Sequence, residues 1–397
     1  MWDHDADRWT YWTLGIALLV FLAHLFLLRL CCRPSDVRRS PYDVGYLPRR
    51  THCGDWDTKN LTRRRHRRGS IPPHFPNGWY RVLDSRDLRL TALCPGEQLA
   101  VFRADEGQVS IFHAYCPHLG ANLAMGGKVR GNCLECPFHG WRFRAEDGKC
   151  VEIPYARKVP EFARTKVWPS CEMNGLIYMW YHCDGIEPEW NVPKQEEVVS
   201  GEWVFRGRTE HYITAHIQEI PENAADFAHL QYVHTPFVLG GANLQYTCSW
   251  LWRTFRHCSL MNVEHSLTFC GRKIPGVDLK VQARQVGPAL VYLNFKHPVF
   301  GQGIILQCVT PVEPLLQQVT HHIYYKSTIP PIIPKILLHL ERIQFERDVY
   351  IWNNKTYMKT PLLISEDSPI GRHRRWYSQF YTEKSKRSPP QQNTLEW

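Results

Sequence analysis

Apolar and polar positions are arranged in three different ways along this chain. Trp12 to Leu28 is an almost unbroken apolar run in which His24 is the only strongly polar residue. With Leu30, Cys31 and Cys32 it reaches the ~20 residues that cross a bilayer as a helix. From 79 to 185 short alternating runs (WYRVL, LAVFRA, VSIFHAY, LIYMWYH) are separated by Gly and Pro turns, which predicts a small antiparallel β-domain. Residues 200–325 mix strand patterns such as VYLNFKH and HHIYYKST with one helical stretch near 217–234. Residues 334–358 have helical spacing, with Leu337, Leu338, Ile343, Phe345, Val349 and Trp352 along an apolar side. The expected class is α+β.

These patterns divide the chain into an N-terminus at 1–11, an anchor at 12–32, a linker at 33–71, a β-domain at 72–185, a second domain at 186–382 and a disordered polar tail at 383–397. The acidic start (Asp3, Asp5, Asp7) and the Arg29–Arg33 end of the apolar run are unlike a cleaved signal peptide. Arg29, Arg33, Arg38 and Arg39 follow the run and only Arg8 precedes it, so the positive-inside rule puts residues 1–11 in the lumen and the body in the cytosol. An endoplasmic reticulum membrane is the expected site. The cluster Arg63, Arg64, Arg65, Arg67 and Arg68 suits anionic headgroups or a solvated loop. No aromatic-interleaved basic fold surrounds it, which argues against nucleic acid.

Composition narrows the class further. Apolar residues make up 44% and charged residues 22%, which excludes a disordered, collagen-like or multi-span chain. The net charge of +10 allows an anionic lipid or an acidic redox partner. The 14 Cys are scattered, too dilute for a disulfide scaffold, and most read as free thiols.

Cys116 and Cys136 stand apart from the others. Cys116-Pro117-His118 is followed by Cys136-Pro137-Phe138-His139, two short loops each offering one thiolate and one imidazole. A Rieske [2Fe–2S] centre needs two Cys on one iron and two His on the other. Cys133-x-x-Cys136 could enter a zinc set instead, but the Cys-Pro-His and Cys-Pro-Phe-His-Gly-Trp contexts favour the cluster and leave Cys133 structural.

A second constellation lies downstream. His229 and His234 with one carboxylate have the ligand types of the facial triad that holds non-haem Fe(II) and leaves positions open for O₂. Asp226 and His229 are three apart and share a helix face. His229 and His234 are five apart, ~140° around an ideal helix, so both can reach one metal only if the helix is distorted between them. Asp348, in the amphipathic 334–358 segment beside Gln344, is the expected third ligand; Glu346, Glu366 and Asp367 are weaker candidates. The alternative for Asp348 is a surface carboxylate paired with Arg342 or Arg347.

On Cys116-x-His118, Cys136-x-x-His139 and Asn223-x-x-Asp226-x-x-His229-x-x-x-x-His234, the chain resembles the Rieske non-haem iron oxygenases from about residue 72 onward. Within them it is most similar to the Neverland cholesterol 7-desaturases, through the N-terminal anchor, Pro76 to Tyr80, and the segment Asp348 to Tyr381 with Arg374-Arg375-Trp376. The resemblance implies an all-β Rieske domain and a helix-grip (START-like) catalytic domain. It also implies a mononuclear iron held by His229 and His234, a head-to-tail homotrimer, and Asp226 as an electron bridge between one chain's iron and its neighbour's cluster. The implied reaction is conversion of cholesterol to 7-dehydrocholesterol with O₂ and NAD(P)H, in steroid hormone biosynthesis. No glycine-rich dinucleotide fingerprint follows a strand here, so the electrons should come through a separate reductase. The rival readings are a sterol or ketosteroid hydroxylase on the same scaffold and a membrane-tethered Rieske electron carrier.

Overall fold

The computed structural model describes residues 12, 14, 16–22, 33–40, 44, 71–88, 91–93, 96–235, 242–251 and 256–387. Three small sheets make up the N-terminal domain. One joins β2 (Gly78–Asp84), β11 (Ser170–Met173) and β12 (Leu176–Tyr181). A second joins β3 (Thr91–Leu93), β4 (Gln98–Arg103), β5 (Val109–His113) and β10 (Val167–Trp168). The third, β6 (Lys128–Arg130), β7 (Cys133–Glu135), β8 (Arg142–Arg144) and β9 (Cys150–Glu152), carries the two Cys-Pro loops at its end. Its core of Phe102, Phe112, Leu123, Leu134 and Phe143 reaches up to Cys116 and Cys136.

The second domain is a nine-stranded sheet. Its order is β1 (Ser35–Arg39), β13 (Trp203–Ile213), β20 (Leu316–Lys326), β19 (Gly301–Glu313), β18 (Leu290–His297), β17 (Leu279–Val286), β15 (Cys258–Phe269) and β14 (Ala242–Leu251), with β16 (Arg272–Lys273) paired off β15. A 21-residue helix, Ile332–Trp352, lies against β13 and β20 and buries Leu338, Phe345, Asp348, Val349 and Trp352. The mixed α+β expectation holds.

Four boundaries move. The linker read at 33–71 contributes β1, which pairs in parallel with β13, and Arg39 Nε sits 2.9 Å from Glu346 Oε1. Two of the four arginines counted as a membrane flank are therefore strand residues of the catalytic sheet. The start of the tail read from 383 is docked: Ser385 is buried, Lys384 Nζ lies 3.1 Å from Asp184, and His74 N donates to Lys386 O at 3.4 Å. The helix read at 334–358 stops at Trp352, where Asn353 turns its side chain away to accept from Thr214 N at 2.9 Å. The helical stretch near 217–234 is four short pieces, described below.

Residues 12, 14 and 16–22 are helical and exposed, and no helix among the described residues is long and apolar enough to cross a membrane. The remainder of the anchor at 12–32, and the arginine cluster at 63–68, lie outside the described residues.

Candidate functional site

The two Cys-Pro loops have the same backbone design. Cys116 N donates to Ala121 O at 2.8 Å and Gly120 N to Cys116 O at 2.9 Å; Cys136 N donates to Trp141 O at 2.8 Å and Gly140 N to Cys136 O at 3.1 Å. Gly120 and Gly140 close them at φ 72° and 71°, where a side chain would be strained. The loops bring the His118 and His139 rings to 4.7 Å and leave Nδ1 of His118 buried with no partner. Trp141 stacks on His118 at 4.6 Å and 11° while donating from Nε1 to Tyr155 Oη at 2.9 Å. Burial pushes the Cys116 thiol up to about 11; the backbone amides of His118 and Leu119 oppose this, and the Cys136 sulfur adds to it. Such a thiol ionises when a cation takes its proton's place. Two adjacent sulfurs, two facing imidazoles and an orphaned ring nitrogen fit a [2Fe–2S] group. Cys133 sits apart on β7, and among the described residues no four-ligand zinc set forms around it.

The second site forms where the 217–234 segment breaks. A short helix (Glu219–Glu222) runs into a 3₁₀ turn (Asn223–Ala225), and Asp226 leaves helical geometry at φ −96°, ψ 93°. Its carboxylate then caps the next turn (Phe227–His229) by accepting from His229 N at 3.2 Å. Leu230–His234 is a π-helix. Its i→i+5 repeat brings residues five apart onto one side, which is the distortion the spacing demanded. The His229 and His234 rings lie 5.2 Å apart, and ligand atoms of His229, His234 and Asp348 all fall within 4.8 Å of one another.

Both imidazoles have their tautomers fixed. His229 Nδ1 donates to the Asp226 backbone carbonyl, and His234 Nδ1 donates to Gln344 Oε1 at 3.0 Å. Each Nε2 is left as a lone pair. His234 Nε2 lies 3.2 Å from Asp348 Oδ1, and that buried oxygen has no hydrogen-bond partner. Two ligands at ~2.1 Å from a metal and about a right angle apart would be ~3 Å from each other, so this pair fits a shared divalent ion. Asp348 is not the surface carboxylate of the alternative: Arg342 pairs with Glu346, and Arg347 donates to Gln344 Oε1 at 2.9 Å and to Val233 O at 3.2 Å. Glu346 is also occupied by Arg39 and His211, and Asp367 accepts from Ile364 N in an exposed turn. Tyr246 Oη donates to His234 O at 3.3 Å, tying the π turn to β14.

Asp348 borders a cavity of about 130 Å³ between the sheet and the helix. Ile220, Met261, Leu293, Phe345 and Trp352 make most of its wall apolar, with Asn223, Ser259, Gln285 and Gln307 as polar residues beside Asp348. The sequence pattern missed the locking role of Gln344 and the stacking of Trp141 on His118. Gln344 lay beside Asp348 as a flank, but its partner is 110 residues away.

Comparison with known proteins gives matches over both domains. The Rieske [2Fe–2S] domain profile matches residues 78–163, and the 3-ketosteroid 9α-hydroxylase C-terminal domain profile matches 179–381. A cholesterol 7-desaturase of Xenopus laevis is 54% identical over 96% of this chain and 88% of its own. One of Caenorhabditis elegans is 44% identical over 93% and 91%. A probable 3-ketosteroid-9-alpha-monooxygenase oxygenase component of Rhodococcus rhodochrous is 30% identical over 83% and 86%. Dicamba monooxygenase bound to dicamba superposes with a TM-score of 0.58 at 17% identity, over 79% of this chain and 98% of that one, which speaks for the fold alone.

Proposed function

The chain belongs to the Rieske non-haem iron oxygenases, within the cholesterol 7-desaturase family, and on that premise we propose that it converts cholesterol to 7-dehydrocholesterol. Its cofactors are a [2Fe–2S] cluster and a mononuclear iron, with electrons arriving through a separate reductase. The balanced reaction is cholesterol, O₂, NAD(P)H and one proton going to 7-dehydrocholesterol, two waters and NAD(P)⁺. The carrying observation is the 54% identity over nearly the whole of both chains, with a His–His–Asp triad opening on an apolar cavity.

Cys116, Cys136, His118 and His139 would hold the cluster, and His229, His234 and Asp348 the iron. When bound, these groups supply single-electron transfer and the reduction of O₂. The chain's own residues do the rest. Asp226 fixes His229 through its backbone carbonyl, and Gln344 fixes His234, so both Nε2 lone pairs are presented together. The apolar wall excludes water and orients the hydrocarbon whose C–H bonds react. At 130 Å³ the cavity is smaller than ordinary ligand sites of ~300–1,000 Å³, so seating a sterol requires it to widen.

Three further parts of the reading follow. Trp12–Leu28 tethers the protein to an endoplasmic reticulum membrane with its body cytosolic, which shortens the route of a bilayer-dissolved substrate; the support is the length of the apolar run and the arginines after it. The chain works as a head-to-tail trimer, as its membership of the Rieske oxygenases implies, and the exposed Leu119, Phe138 and Tyr155 around the cluster loops and Tyr232 beside the triad suit a contact between copies. Asp226, whose carboxylate is about one-third exposed beside His229, bridges the two centres across that contact.

The test is sterol mass analysis of cells fed isotope-labelled cholesterol and expressing the wild type or His234→Ala. Labelled 7-dehydrocholesterol from the wild type alone is the expected result. The 3-ketosteroid 9α-hydroxylase domain match favours hydroxylation as the second reading, and labelled sterol carrying one added oxygen would establish it instead.

A further inference from the structure

Adjacent strands of the catalytic sheet place one continuous row of partners on the face that meets the helix. Ser259 on β15 pairs with Gln285 on β17, Gln285 with Val291 on β18, Val291 with Gln307 on β19, and Gln307 with His321 on β20. Directly paired residues share a face of the sheet. The first four of these line the cavity, and His321 packs edge-on against Phe345, which also lines it. Two residues along each strand the partners are Met261, Ala283 and Leu293, again in the cavity wall. The floor therefore has one polar rung beside an apolar one.

Among the described residues, two groups on the polar rung have no hydrogen bond: the Ser259 hydroxyl at its β15 end and one group of the Gln307 amide. Gln285 uses both ends of its amide: Nε2 donates to Gly287 O at 3.3 Å, and Oε1 accepts from His373 Nε2 at 3.3 Å. His321 is fully buried, and burial holds it neutral, with a single ring proton to place. Its Nδ1 lies 3.3 Å from the Thr209 hydroxyl, which serves equally as donor or acceptor, so the partner of the other ring nitrogen decides where the proton sits. Nε2 lies 3.1 Å from Gln307 Oε1, an amide oxygen that only accepts, so the proton is on Nε2 and Thr209 donates to Nδ1; Glu341, whose buried carboxyl is raised to about 8, lies farther off at 3.4 Å. His321 thus fixes the flip of the Gln307 amide: the oxygen is taken, and the NH₂ group is left toward the cavity. Among the described residues no hydrogen bond involves that nitrogen.

A sterol is hydrocarbon except for one hydroxyl. We propose that Gln307 recognises that hydroxyl by donating from its amide nitrogen to the substrate oxygen, while the ring body lies on the apolar rung. His321 acts as the positioning residue that aims the amide. This inference rests on the sterol reading above and adds the atom that tells a sterol from any other hydrocarbon of its shape. Burying the hydroxyl without a partner would oppose binding, and a substrate lacking it would leave the Gln307 donor unpaired.

The experiment measures equilibrium binding of labelled cholesterol and of cholest-5-ene, which has hydrogen in place of the hydroxyl, to the iron-loaded full chain in detergent micelles. Partition into micelles differs between the two compounds but is the same for every protein variant, so it cancels when the ratio of the two affinities is compared between variants. Passing from wild type to Gln307→Leu, that ratio is expected to fall ~10-fold, through weaker cholesterol binding with cholest-5-ene unchanged or tighter. Gln307→Met, close in volume to glutamine, serves as a second variant, and the cluster absorption spectrum reports folding in each. A ratio that stays at the wild-type value in a folded variant overturns the assignment of Gln307. A wild type that binds neither compound overturns the sterol reading, and this inference with it.

Discussion

At the scale of single residues, ligands in short loops were legible and their supports were not. Cys116, His118, Cys136 and His139 declare themselves because each loop closes on its own backbone within five residues. His234 is different, since the group that fixes its tautomer is Gln344 on another element. Nothing local to either residue announces the pair. Gln344→Leu removes the acceptor for His234 Nδ1, frees the ring to turn, and is expected to weaken iron binding ~10–100-fold. Gln344→Glu keeps an acceptor at the same reach and should retain most of the affinity. Iron content after dialysis against a chelator, read beside an unchanged cluster spectrum, checks both.

At the scale of elements, periodicity located the start of the long helix to within two residues, overran its end at Trp352 by six, and failed where the backbone is irregular by design. Five-residue spacing of two ligands implied a distorted helix but not its form, a capped turn followed by a π turn. β1 was hidden because SDVRR sits in an arginine-rich stretch and has no apolar alternation of its own; its place depends on pairing with β13, 172 residues away at Asp36↔Arg208. The capped turn lets the cap that Asp226 makes be separated from the bridge proposed for it. Asp226→Asn keeps an oxygen for the His229 amide, so the thermal midpoint and iron content should hold while turnover falls by orders of magnitude, because the charge is gone. Asp226→Ala loses the cap as well and should cost a further ~1 kcal/mol of stability. Thermal melts beside single-turnover product yield distinguish the two. Equal turnover in Asp226→Asn and wild type would remove the bridge from the reading.

At the scale of the whole molecule, the two domains are joined by a buried charge cluster that no local pattern could reveal. Asp84 at the end of β2 accepts from Arg81 Nε at 3.0 Å, Arg86 Nη2 at 3.1 Å, Arg208 Nη1 at 2.6 Å and His322 Nε2 at 2.8 Å. Arg208 on β13 reaches on to Asp36 of β1 and to Asp87, so one carboxylate and one guanidinium connect the Rieske domain, the neighbouring strands β13 and β20 and the edge strand β1. Burial alone would raise the Asp84 carboxyl, but His322 and Arg81 outweigh it and hold the group well below the ordinary carboxylate range. A carboxylate depressed in the folded state stabilises above its unfolded value, near pH 4, and that stability is lost as pH falls through the folded value. The wild type should therefore weaken progressively below about pH 4, with the Asp84 contribution intact at pH 5 to 8. Asp84→Asn leaves Arg81 buried without a counter-charge and Arg208 with only the more exposed Asp36 and Asp87, and is expected to cost ~3–5 kcal/mol at pH 7 and to flatten the acid limb. Denaturant melts of the two proteins from pH 3 to 8 test this. Parallel curves across that range would mean that packing between the domains, not this ion cluster, carries their connection.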